Sequence, residues 1–157
     1  MSDVEIRERT VNQTRAYLAL LQAQRWDEWI DLWADDAVLE FPFAHDSRQN
    51  VYRGKRDILE YMSATTGSIV VDSVTDLRVH PLLDPEAVVV ELQIAGRQIV
   101  NGSPYNQRYV TIFQYKDGKI VNYREYWNPL VSIEAFGGYE EWLTASSSYS
   151  KPKNATA

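Results

Sequence analysis

Cysteine is absent from the 157-residue chain. That removes disulfides, thiol nucleophiles and zinc–thiolate sites, and it suits a reducing cytoplasm. Long apolar runs are absent too. No stretch approaches the length needed to cross a bilayer, and Met1-Ser2-Asp3-Val4-Glu5 lacks the basic and apolar regions of a secretory signal. The expectation is a cytoplasmic protein without a membrane partner. Runs of Lys and Arg are missing and the formal charge is −6, so nucleic acids and other polyanions are poor partners. Histidine is scarce. His45 and His80 are the only two, and neither has a carboxylate at ligand spacing, so there is no metal signature. No phosphate loop, Gly-x-Ser-x-Gly elbow or dinucleotide fingerprint occurs, and no cofactor is expected.

Aromatic residues are plentiful: five Trp, ten Tyr and four Phe. Tyr and Trp carry polar groups that need partners when buried. This composition suits an amphipathic pocket, an oligomer interface or an aromatic core. The length suits one domain, expected over residues 1–144. The Ser-rich stretch Ala145–Ala157 is expected to be a flexible tail.

Hydrophobic spacing organises the rest. Residues 5–24 read as a helix with Val11, Leu18 and Leu21 on one side. Trp26, Trp29, Ile30 and Trp33 recur at i, i+3, i+4, i+7, the spacing of one helical face. Ala37–Phe41 is a short strand limited by Pro42. Residues 42–53 form a loop, and Gly54 introduces a third helix with Ile58, Tyr61 and Met62 on one face. From residue 68 the period becomes two. Strands are expected at Ile69–Val79, Val88–Ile94, Tyr105–Tyr115 and Ile120–Trp127, with Asn101-Gly102 as a turn and Asp117-Gly118 closing a tight hairpin. A short helix is expected around Tyr139–Leu143. Helices followed by an antiparallel meander imply an α+β fold whose curved sheet leaves a cavity against its helices.

The stretch from Tyr17-Leu18-Ala19-Leu20-Leu21 through Trp33-Ala34-Asp35-Asp36-Ala37-Val38-Leu39-Glu40-Phe41-Pro42-Phe43-Ala44 to Tyr52-Arg53-Gly54-Lys55 resembles the first half of SnoaL-like and ketosteroid-isomerase-related proteins. Tyr115–Pro129, with Arg124-Glu125-Tyr126-Trp127-Asn128-Pro129, is similar to their last hairpin and nearest the PhzA/PhzB branch of phenazine biosynthesis. The resemblance covers residues 11–135. It implies a cone-shaped half-barrel of the cystatin-like, nuclear transport factor 2-like type: a curved, mostly antiparallel sheet wrapped around three N-terminal helices. It also implies a deep pocket for a small-molecule substrate, and a homodimer paired through the sheet. Members include isomerases, polyketide cyclases, dehydratases, epoxide hydrolases and non-enzymatic binding proteins. Most catalytic members use side-chain acid/base groups without a metal.

Along the last strand Tyr123, Glu125 and Trp127 share a face. If that face is inward, Glu125 is desolvated among aromatic rings and its pKa rises toward the range of a general acid or base. The PhzA/PhzB resemblance puts a catalytic glutamate at the same place. The other reading turns Glu125 outward beside Arg124 and Arg108; the inward one is preferred. Tyr17 matches the ketosteroid isomerase tyrosine that donates to an oxyanion, and equally suits a buried helix face. The isomerase base corresponds to Phe41 here and its second oxyanion donor to Thr111, so ketosteroid isomerisation itself is not implied. Tyr61 stands near the PhzA/PhzB histidine; a phenol can donate a proton there but is a poor base at neutral pH, and core packing also explains it. His45, in a loop at the expected cavity mouth, is either a proton shuttle or a solvated loop residue. The candidate substrate-binding wall is Trp33, Phe41, Phe43, Tyr109, Thr111, Phe113, Tyr123 and Trp127. Tyr126, Val110, Ile112 and Val121 on the opposite sheet face are a candidate dimer patch. Three functions stay open: an acid/base enzyme acting on an apolar carbonyl compound, a small-ligand-binding protein, and a filled structural scaffold, preferred in that order.

Overall fold

The computed structural model describes residues 1–44 and 48–149. Helix α1 (Asp3–Gln22) opens on a capping box: the Ser2 hydroxyl accepts from the Glu5 backbone N–H, and the Glu5 carboxylate accepts from the Ser2 backbone N–H. Its buried stripe is Thr10, Thr14 and Tyr17, while Val11, Leu18 and Leu21 are only partly buried beside it. The two threonines are tolerated inside because their hydroxyls bond the carbonyl one turn back, and Thr14 also bonds the Tyr115 hydroxyl at 2.8 Å.

Helix α2 is short, Trp26–Ile30. Trp33, expected on its face, is instead the first residue of strand β1 (Trp33–Glu40). Tertiary packing overrides the helical spacing here. Both Trp29 and Trp33 reach the same core cluster, their rings 5.2 Å apart, so the four-residue spacing brings the rings together across a helix–strand junction. The expected loop over 42–53 ends in a short strand, β2 (Val51–Arg53), paired antiparallel with β1. Helix α3 (Lys55–Thr66) follows Gly54, whose φ of 83° allows the turn into the helix.

The long strands are β3 (Ile69–Pro81), β4 (Ala87–Gln98), β5 (Gln107–Lys116) and β6 (Lys119–Trp127). They pair antiparallel in sequence order, and β1 adds parallel to β6, giving the order β2-β1-β6-β5-β4-β3. Asp117 and Gly118 both have positive φ, 50° and 79°, as the expected hairpin requires. Register shifts between Val71 and Ser73 and between Thr75 and Arg78 of β3 bend the sheet, and it does not close, since β2 and β3 are its edges. The result is the expected α+β arrangement of N-terminal helices within a curved, mostly antiparallel sheet.

Two helices follow the sheet. Asn128 caps α4 (Pro129–Ala135) by accepting from the Leu130 N–H, with Pro129 in its first turn. Helix α5 runs Tyr139–Tyr149, so helical backbone enters the stretch expected to be a tail from Ala145. The burial of Trp142 anchors this helix on the core. Residues 150–157 lie outside the described ones. Among the described residues no helix is long and apolar enough to cross a membrane.

Candidate active site in an aromatic cavity

Strand alternation and register decide what faces inward. Tyr109, Thr111 and Phe113 of β5 stand opposite Trp127, Glu125 and Tyr123 of β6, and all six line one cavity between the sheet and the helices. Its volume is about 930 Å³, ample for a metabolite of several rings. Tyr17 comes to it from α1, Phe41 from the end of β1, Tyr61 from α3 and Trp142 from α5.

Glu125 is the acid of this cavity. The outward reading is overturned: it lines the interior, and the Tyr123 hydroxyl donates a hydrogen bond to its Oε2. The residue is half-buried and lines the cavity. Burial raises the carboxyl from the ordinary 4.5 to about 7, and the bond from Tyr123 offsets part of that rise. A carboxyl poised near neutrality can both accept and return a proton.

Phenols surround it. Tyr17 is almost wholly enclosed, with Trp29, Phe113 and Tyr123 rings at 5.4, 4.9 and 5.6 Å. Burial drives its pKa up, partly relieved by the nearby Tyr123 hydroxyl, although the two lie outside hydrogen-bond geometry. Tyr123 and Tyr109 are likewise raised by burial and then by the charge of neighbouring groups, Glu125 among them. Tyr61 is raised by burial, opposed by the positive charge of Arg48. All four therefore stay protonated near neutral pH, and of these five groups only the Glu125 carboxyl changes its charge there.

Two expected wall residues do not reach the cavity. Trp33 packs beneath it, with Tyr17 and Tyr123 rings at 6.1 and 5.6 Å. Phe43 is 60% exposed and sits edge-on to Tyr126, at 5.0 Å, on the outer face of the sheet. The strand ends at Glu40 and the chain turns at Pro42, which carries Phe43 away from Phe41 and out of the cavity. His45 lies outside the described residues. His80 is on the outer side of the cone, 2.7 Å from the Glu91 carboxylate. Among the described residues no three His, Asp or Glu side chains converge closely enough to hold a metal ion.

Sequence reasoning missed Arg48. Its Nη2 donates to the Tyr61 hydroxyl at 2.9 Å, and its guanidinium carbon lies 5.7 Å from the Trp127 ring and 5.3 Å from the Trp142 ring. The only signal was an arginine in a loop expected at the cavity mouth. Trp142 was missed as a wall residue too, and only a Trp on an amphipathic segment hinted at it. Nor was the bond between the Tyr105 and Tyr109 hydroxyls, at 3.0 Å, foreseen.

An open, curved sheet around an interior pocket is the fold class that this chain shares with a solved nuclear transport factor 2-like protein of Burkholderia xenovorans, 15% identical, TM-score 0.70, covering 82% and 95%. Within that class the chain belongs to the SnoaL-like domain family, whose signature matches residues 14–123. It is similar to the Bacillus subtilis protein YesE, 37% identical over 131 residues that cover 83% of this chain and 89% of the relative. The PhzA/B-like protein PA3332 of Pseudomonas aeruginosa is 33% identical over 112 residues, covering 71% and 79%. A Bacillus subtilis crystal structure, 35% identical, superposes with a TM-score of 0.78 over 88% of this chain and 98% of that one. Two more distant structures share the fold. One is the epoxide hydrolase/cyclase-like enzyme SalBIII of pyran ring formation in the polyether salinomycin, 18% identical, TM-score 0.65, covering 77% and 92%. The other is a Mycobacterium tuberculosis protein in complex with estradiol-17β-hemisuccinate, 21% identical, TM-score 0.66, covering 76% and 94%.

Proposed function

We propose that the chain is an enzyme of small-molecule metabolism that moves a proton on an apolar, carbonyl-bearing substrate held in the aromatic cavity. Isomerisation, cyclisation, dehydration and condensation are the reactions within reach, and none needs more than side-chain acid/base groups. The observation that carries this is Glu125, a cavity carboxyl bonded by Tyr123 and raised to about 7. Glu125 takes the proton next to the carbonyl and returns it elsewhere on the product. Tyr17 or Tyr61 donates to the oxygen on which charge develops. Ring formation by SalBIII and steroid binding by the mycobacterial protein agree with such a cavity.

The test is turnover by Glu125→Gln on a panel of polycyclic and polyketide-like ketones. It should retain ligand binding and lose roughly 100-fold or more in rate. Near-normal turnover removes Glu125 from the mechanism. Binding with no turnover by either protein favours a ligand-binding role for the same cavity.

The reading includes a homodimer formed through the outer sheet face. Val110, at 39% exposure, stands opposite Tyr126, Ile112 lies beside them, and Val121 falls at the register shift of the hairpin. Phe43, turned out of the cavity, adds its ring to this patch. Sedimentation should show a dimer at micromolar concentration that Val110→Lys weakens; a monomeric wild type removes this part of the reading.

A further inference from the structure

Arg48 brings a permanent positive charge to the wall of an aromatic cavity. Its Nη2 is used by Tyr61. Its Nε is buried and, among the described residues, has no hydrogen-bond partner. Trp127 and Trp142 flank the guanidinium, so aromatic rings stand where water or a carboxylate would otherwise stabilise it. A buried donor left unmade is costly, and among the described residues no carboxylate pairs with this guanidinium.

Glu125 is not the missing counterion. It takes its hydrogen bond from Tyr123, Arg48 gives its own to Tyr61, and no ion pair joins the two. The carboxyl is raised by burial rather than held down by a neighbouring cation, which agrees with that separation.

We infer that the substrate carries a carboxylate on an apolar ring body, and that Arg48 receives it at the end of the cavity walled by Trp127 and Trp142. This rests on the reading of the cavity as a ligand site. The part of the Arg48 guanidinium that lines the cavity meets one carboxylate oxygen. The Tyr61 oxygen already accepts from Arg48, so its own proton is available to the other. The fork of a guanidinium matches a planar carboxylate, and a single cation suits a monoanion better than a phosphate dianion. The aromatic walls take the rings. Arg48 thus fixes which way round the substrate lies, a positioning role.

The test uses benzoate, naphthoate and biphenyl carboxylate, each against its neutral carboxamide. Binding is followed by quenching of tryptophan fluorescence and by calorimetry. Wild type should bind at least one acid ~10-fold or more tighter than its amide. Arg48→Met, checked for native melting, should erase that preference, and Arg48→Lys should restore part of it. Glu125→Gln should keep it, so the carboxylate site and the proton-transfer chemistry stand or fall separately. Equal affinity for acid and amide in the wild type overturns the inference. So does a preference that survives in Arg48→Met, or a wild type that binds none of the three acids.

Discussion

Replacing Glu125 with glutamine should change how stability depends on pH, and the structure sets the size of the change. The carboxyl titrates at about 7 in the folded chain against the ordinary 4.5 of a free glutamate. At roughly 1.4 kcal/mol per tenfold change in proton affinity, that gap corresponds to about 3 kcal/mol. The sign follows from proton counting. Between the two values the folded protein holds a proton that the unfolded chain has released, so stability falls as pH rises. The stabilising contribution is fully present below the unfolded value, is lost as pH rises toward the folded one, and is gone above it. The amide introduced by Glu125→Gln has no such proton to lose and resembles the neutral acid in shape.

Urea denaturation of both proteins, at equal protomer concentration, therefore gives two curves of stability against pH. The wild type should lose about 2 to 3 kcal/mol relative to Glu125→Gln between pH ~5 and pH ~8. Contributions from groups other than residue 125 are common to both proteins and cancel in the difference. Parallel curves would refute the reasoning: they would mean that Glu125 titrates as an exposed carboxylate does and that the cavity leaves it hydrated. A difference of opposite sign would mean that a cation, such as Arg48, pairs with it in solution.

Gly96→Ala should be among the most damaging small substitutions outside the cavity. A methyl group there would stand 2.2 Å from the Val70 carbonyl oxygen, a backbone atom of the neighbouring strand, close to a register shift of β3. The β3–β4 ladder must open to admit it, and the chemical denaturation midpoint should fall by the equivalent of roughly 2 to 3 kcal/mol; an unchanged midpoint would show that the two strands separate freely at this point.

The sheet was legible in the sequence because each strand from β4 to β6 buries one face. Alternation along Ile120–Trp127 put Tyr123, Glu125 and Trp127 on one side, and the Asp117-Gly118 turn marked the hairpin. The irregularity at Val121, which shifts the pairing by one residue and so sets Thr111 opposite Glu125, left no mark in the sequence. The helix–strand junction was not legible. Trp26, Trp29, Ile30 and Trp33 satisfy a helical spacing, and only packing against Tyr17 and Tyr123 shows that Trp33 has left the helix. Strand β2 is three residues long and is held by its pairing with β1, a contact distant in sequence. Phe43 was misplaced because it lies in a loop, where no periodicity says which way a ring points. Arg48 escaped notice for a different reason. A loop arginine reads as solvated unless the loop's path is known, and the rings it meets, Trp127 and Trp142, are far along the chain.

The two charged groups of the cavity are useful because they are kept apart. If Arg48 reached Glu125, the carboxyl would fall toward its ordinary range or below it and would be a weak base at neutral pH. The guanidinium would then have no capacity left for a ligand. Separate phenols prevent this: Tyr61 holds Arg48 from α3, and Tyr123 holds Glu125 from β6. Each phenol is itself kept protonated by the burial that the aromatic walls impose. The abundance of Tyr and Trp in so small a chain thus has an electrostatic consequence as well as a packing one. It excludes enough water to raise an acid, and it supplies neutral donors that keep a cation and that acid from cancelling each other.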